Sequence, residues 1–227
     1  MEIKNLFSHW IVPHFWARFF VMFFAIIFMG VTLSLLVEVG WGTDPYSFLN
    51  LNLSARVGWS LGNWQLLFNS ILILFTLVFN WRLIGFGTLV NMVCIGYTVD
   101  FCRWVWAKTG IASWITSSFW TQLLVFIVGI VLFVIFAAIY MNSSLGLSPY
   151  DAAIKIIAGW IYRVRYFILR IVYDLLAVAV GFISTFGTET GMQGSIIGSI
   201  VIALLLGPVI TSTGIFMKKH IRIFQDE

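Results

Sequence analysis

Gly40-Trp-Gly-Thr-Asp-Pro-Tyr-Ser-Phe-Leu-Asn50 and Leu145-Gly-Leu-Ser-Pro-Tyr-Asp-Ala-Ala-Ile154 are two versions of one motif. In each, a glycine-containing turn delivers a small polar residue, then Pro-Tyr, then helix formers. Asp44-Pro45 and Ser148-Pro149 fit an N-cap followed by proline at the first helical position, where its missing N–H costs nothing. Ser148 with Asp151 three residues on has the spacing of a capping box. Each copy therefore opens a helix directly after a long apolar run, and the pair predicts an architecture before any chemistry.

Working outward, apolar residues make up 61% of the chain and charged ones 10%, against about a quarter charged in soluble domains. Apolar runs of about 20 residues mean bilayer spans, so the chain reads as a polytopic membrane protein. The run from Phe19 is too long for a signal-peptide core and lacks a small-residue cleavage site. Cys94 and Cys102 share one apolar segment and project about 80° apart on a helix, so they cannot pair within it. The net charge of +4 comes from Lys and Arg at the ends of apolar runs. That pattern sets topology and gives no reason to expect nucleic acid. The tail Lys218-Lys219-His220-Ile-Arg222 fits a cytoplasmic anchor beside anionic lipid.

Residues 1–18 are amphipathic, with Trp10 and Trp16 suited to an interface. Spans are expected at 15–38, 61–80, 86–106, 119–141, 167–186 and 195–217, with Trp10, Trp41, Trp59, Trp81, Trp106, Trp120 and Trp160 near their ends as an aromatic belt. Short helices at 45–58 and 149–162 follow the first and fourth spans. The halves, 15–108 and 119–217, then share landmarks. Pro45 matches Pro149, Gln65 and Asn69 match Arg170 and Asp174, and Gly87-Thr88 matches Gly194-Ser195.

Fourteen residues rise about 21 Å, short of a hydrocarbon core of about 30 Å. The short helices also carry polar faces: Ser47, Asn50 and Ser54 on the first, Asp151, Lys155 and Tyr162 on the second. Read as re-entrant, they leave three crossings per half, and an odd number inverts the second half. The basic residues alone fit eight crossings slightly better, leaving only Arg82 outside. Shortness and polarity favour six, with both termini cytoplasmic.

Gly40-Trp-Gly-Thr-Asp44-Pro-Tyr46, Gly62-Asn-Trp64, Gly87-Thr88 and Asp100 together resemble the YczE/YyaS/YitT-type bacterial integral membrane proteins, most clearly over Gly30 to Cys102. The acid precedes the aromatic in the first turn (Asp44, Tyr46) and follows it in the second (Tyr150, Asp151), a departure from that pattern. The resemblance implies a multi-pass protein of the bacterial cytoplasmic (inner) membrane.

Within the spans, Arg170 and Asp174 lie one turn apart on one face. A charge there costs about 2.5–3.5 kcal/mol even on the mildest scale. Either Arg170 binds an anionic group and Asp174 carries a proton or cation, or the two neutralise each other as a helix lock. Gln65, Asn69 and Asn91 (sharing a face with Thr98) line a cavity or act as interhelical glue. The capped starts, Asp44 with Tyr46 and Ser148 with Tyr150 and Asp151, bring helix N-termini that favour anions. Their carboxylates satisfy the same donors or line a cation path. Pro208 removes a backbone bond in the last span and predicts a kink, static or hinged.

Enzyme motifs are absent: His9, His14 and His220 are terminal, no Cys/His cluster has metal spacing, and there is no phosphate loop. Neither metal nor cofactor is expected. The fold class is therefore all-α, a single membrane domain of about six transmembrane helices plus two short helices. The expected function is a secondary transporter or permease for a small polar or anionic solute, coupled to a proton or cation. The rival class is a non-transporting regulator or assembly partner; a lipid-handling enzyme comes third. The bilayer is the expected partner, and a homo-oligomer stays open.

Overall fold

The computed structural model describes residues 12–221, and every regular element in them is helical. The interfacial segment expected before residue 12, with Trp10 and His9, lies outside the described residues, as does Arg222 of the basic tail. The helices are α1 (Phe15–Val39), α2 (Pro45–Val57), α3 (Leu61–Asn80), α4 (Phe86–Thr109), α5 (Ile111–Ile115), α6 (Phe119–Asn142), α7 (Pro149–Trp160), α8 (Tyr166–Ile183) and α9 (Ile196–His220). A 3₁₀ turn, Trp81–Leu83, joins α3 to α4.

Five of these, α1, α3, α6, α8 and α9, are long and apolar enough to cross a membrane. The sixth expected span, α4, is as long at 24 residues, but polar side chains dilute it. Several of those side chains have partners in the protein. Asn91 is buried, Arg103 pairs with Glu38 of α1 at 2.9 Å, and Asp100 accepts from the backbone N–H groups of Leu61 and Gly62 at 3.1 and 2.7 Å. That carboxylate caps α3, satisfying donors no helix can satisfy for itself. Helix α9 runs on through Pro208. Helix α8 stops at Ile183, short of the expected 186, where the Ser184 hydroxyl turns back to the Gly181 carbonyl at 2.6 Å.

Helix α1 is the central post. Met22, Ala25, Ile26, Met29, Leu33 and Leu36 pack inward, while Phe20, Phe24 and Phe28 stay exposed. It lies against α4 and α6, and α9 lies against α6. The short helices are exchanged: α2 packs on α8 and α7 on α3.

Two loops cross over with no room to spare. A Cβ on Gly85 would fall 2.2 Å from the Leu145 carbonyl oxygen, and one on Gly198 would fall 1.7 Å from that of Trp41. The Gly87 N–H donates to Leu145 O at 2.7 Å, and the Thr43 N–H donates to Ser199 Oγ at 3.1 Å. These contacts involve Gly85 and Gly87 on one side and Gly198 and Ser199 on the other, whereas the sequence had matched Gly87-Thr88 with Gly194-Ser195.

The short helices meet head to head. The Tyr46 and Tyr150 rings lie 4.7 Å apart. At its far end α2 sends Arg56 Nη1 to the Ser184 and Phe186 carbonyls, 2.9 Å each, beyond the end of α8. The far end of α7 puts Trp160 against Phe79, 4.8 Å away, at the end of α3. Since α2 leads straight into the start of α3, the two tails lie at opposite ends of that helix. At 13 and 12 residues they reach about 20 and 18 Å, too short to span. Ser47, Asn50 and Ser54, expected as a polar face, are all buried in protein. On α7, Lys155 is exposed, and Tyr162 falls beyond the helix end.

Candidate functional site

Both helix starts form as their residues dictate. Asp44 Oδ1 accepts from the Ser47 N–H at 3.1 Å, and Ser148 Oγ accepts from the Asp151 N–H at 3.0 Å. The Ser148 hydroxyl also donates to Asp151 Oδ2 at 2.6 Å, so the capping box closes between side chains.

Each tyrosine after the proline then reaches the following long helix of its own half. Tyr46 donates to Asn69 Oδ1 at 2.5 Å, and Tyr150 donates to Asp174 Oδ1 at 2.8 Å. Asn69 and Asp174, matched by position in the sequence, thus do matching work near the middles of α3 and α8. Arg170 donates from Nε to Asp174 Oδ2 at 3.0 Å and from Nη1 to Asp151 Oδ1. Its guanidinium carbon sits 5.4 Å from the centre of the Tyr150 ring, and Tyr173 flanks the other side of that ring at 4.5 Å.

These groups line a partly open cavity of about 100 Å³. Of the expected site residues, Asp44, Tyr46, Gln65, Asn91, Ser148, Tyr150, Asp151, Arg170 and Asp174 line it. Asn69 does not; it holds the Tyr46 hydroxyl from behind. The lining also includes the apolar side chains of Met29, Leu33, Ile95, Phe133 and Ala137.

Three lining side chains have a buried atom with no hydrogen-bond partner: Asp44 Oδ2, Gln65 Nε2 and the Tyr140 hydroxyl. Their residues are 9%, 1% and 2% exposed. Buried polar atoms left unpaired cost about 1–3 kcal/mol each, so such a concentration at one cavity is unusual for packing alone. Tyr140 was missed by sequence reasoning. It sits near the end of an apolar span, where a tyrosine reads as an interfacial anchor.

The cavity holds three carboxyl groups, Asp44, Asp151 and Asp174, and one guanidinium, Arg170. Among the described residues no group of three His, Cys, Asp or Glu is placed to hold a metal ion. Asp100, part of the family-like motif, lies away from the cavity in its capping role. Cys94 and Cys102 are unpaired. Asn52, the first residue of a glycosylation-like triplet, is buried and exchanges hydrogen bonds with Gln193.

Comparison with known proteins gives the family. The chain is 26% identical over 147 residues to "Uncharacterized membrane protein YczE" of Bacillus subtilis (strain 168), covering 63% of this chain and 65% of that protein. It is 26% identical over 153 residues to "Uncharacterized protein YyaS" of the same organism, covering 67% and 74%. The chain thus spans just under two thirds of the length of YczE. No solved structure matches it. Residues 16–214, from the start of α1 almost to the end of α9, match DUF6198, a family of unknown function, and the chain is a membrane protein belonging to that family.

Proposed function

We propose that this protein is a secondary transporter or permease for a small polar solute, with the cavity between α2 and α7 as its binding site. One observation carries the reading: three side chains with buried, unpartnered polar atoms, from α3, α6 and the start of α2, line a single cavity. Transport sites of this kind form where short helices end inside the bilayer and side chains from two repeated units converge. The exchanged short helices, the two glycine crossings and the matched Tyr46–Asn69 and Tyr150–Asp174 bonds support a duplicated, inverted three-plus-three arrangement. In that arrangement both termini face the cytoplasm, and the membrane is the bacterial cytoplasmic one. Asp44, whose second oxygen is unpartnered, is the carboxyl best placed to hold a coupling proton or cation.

The test is uptake by proteoliposomes of purified protein, offered radiolabelled amines, amino acids, organic acids and phosphate under an imposed pH or sodium gradient. Uptake above empty vesicles supports the reading; no uptake of any of them refutes it.

A second reading, a non-transporting membrane regulator or assembly partner, is favoured by the polar side chains that join helices without any ligand. Arg170 with Asp151 and Asp174 is the chief case. A stoichiometric partner co-purifying with the protein, together with inert vesicles, would select it.

A further inference from the structure

We propose that the cavity binds a small organic cation of the alkylammonium or guanidinium type, with Asp44 as its counter-ion. This rests on the cavity being the solute site. The sequence alone left the sign open, with Arg170 and two helix N-termini favouring an anion and the carboxylates a cation path. Three features of the structure favour the cation.

First, Arg170 is already bridged to two carboxylates, so its charge is neutralised inside the protein. Second, the helix N-termini are occupied by their own caps, Asp44 Oδ1 and Ser148 Oγ. Third, Asp44 is left over: it is 9% exposed, pairs with no cation, and keeps Oδ2 unpartnered at the cavity wall. A buried carboxylate without a cationic partner is costly, and a donor-bearing cation supplies both the charge and the missing hydrogen bond.

The rest of the cavity narrows the class. Calcium and magnesium take several oxygen ligands, but Met29, Leu33 and Phe133 share the lining with Asp44, and among the described residues no group of three His, Cys, Asp or Glu is placed to hold a metal ion. A cation with an apolar body suits such a lining. The Tyr150 ring is already taken by Arg170, Tyr173 and Tyr46, so the attraction for a cation comes from the Asp44 carboxylate. A volume of about 100 Å³ is smaller than the ~150 Å³ cavity that admits benzene, which limits the occupant to a few heavy atoms. Methylammonium, ethylammonium and guanidinium are the probes of that size.

The experiment measures binding to the purified full chain by calorimetry and thermal shift, and flux in proteoliposomes with the same radiolabelled probes. Acetate, phosphate and glycine serve as anionic and zwitterionic controls. The tested variant is Asp44→Asn, which keeps the capping oxygen and removes the charge, since Asn caps as well as Asp. The expected result is binding of at least one cation, weakened about tenfold or more in Asp44→Asn, with no binding of acetate or phosphate. Should that variant fail to fold, Tyr140→Phe, which removes one unpartnered hydroxyl, is expected to change cation affinity measurably.

Preference for anions or glycine over the cations overturns the cation assignment while leaving a transport site. Cation binding that neither variant alters overturns the assignment to this cavity. Cation binding with no flux keeps the binding site and refutes transport. Failure of every cation to bind overturns the inference, and uptake of another solute in those same vesicles would show the transport reading still standing.

Discussion

Tyr46 and Tyr150 lie ring to ring with 4.7 Å between centroids, each the residue after the proline that opens a short helix. Their hydroxyls point to different halves, one to Asn69 and the other to Asp174. The pair therefore works as a clamp at the centre of the bundle, and the partners differ only in charge.

That difference predicts unequal costs. Tyr150→Phe removes a hydrogen bond to a buried carboxyl, so a loss of about 1.5–3 kcal/mol is expected. Tyr46→Phe removes a neutral one and should cost nearer 1 kcal/mol. Denaturant unfolding in detergent micelles checks both; equal losses would mean that Asp174 is not ionised in the folded protein.

Arg170 holds Asp151 on α7 to Asp174 on its own helix. Arg170→Ala should destabilise by roughly 3 kcal/mol, because breaking one side of a buried pair strands the other charges. Adding Asp151→Asn and Asp174→Asn should recover a large part of that loss. Thermal unfolding of the single and triple variants measures it, and no recovery would show that the arginine acts by packing.

The two crossings tolerate no side chain. Gly85→Ala and Gly198→Ala would set a methyl carbon 2.2 and 1.7 Å from backbone oxygens of the opposing loops. Backbone cannot yield as a flexible side chain does, so a loss above the usual 1–3 kcal/mol of overpacking is expected. Gly159→Ala meets nothing within 4 Å and should be neutral, or gain up to about 0.5 kcal/mol. Yield of monodisperse protein and its melting temperature separate the two outcomes.

The head-to-head helices predict a topology. In a background with Cys94 and Cys102 replaced by Ala, single cysteines at Trp59 and Arg163, both exposed, should react with an impermeant maleimide from opposite sides of the membrane. Labelling from one side only would mean that the short helices leave the bilayer by the same face, and the inverted arrangement would fall.

Much of this was written in one dimension. Apolar runs of bilayer length, Asp44-Pro45 and Ser148-Pro149 caps, and the spacing of Arg170 and Asp174 are local features, set by neighbouring residues along a single helix. They predicted the long helices and the two short ones to within a few residues, though not α5, and they named most of the polar side chains that line the cavity but not its apolar part. The residues that pack at the two crossings, Gly85 and Gly198, were not legible because backbone contact between separate loops leaves no local signal. Tyr140 was invisible because its environment is made by Gly87 of α4 and the buried face of α1, both distant in the chain.

The sequence by itself determined that the chain is a helical membrane bundle, where two short helices start, and which polar residues the bilayer could not accept. Only the tertiary structure decided which of those residues spend their charge on each other. Arg170 read equally as an anion site or a helix lock until Asp151 came beside it, and Asp44 as a cap or part of a cation path until its second oxygen was left without a partner. The reason is physical: the sign of a buried site depends on the sum of charges converging from separate helices, and that sum exists only once they pack.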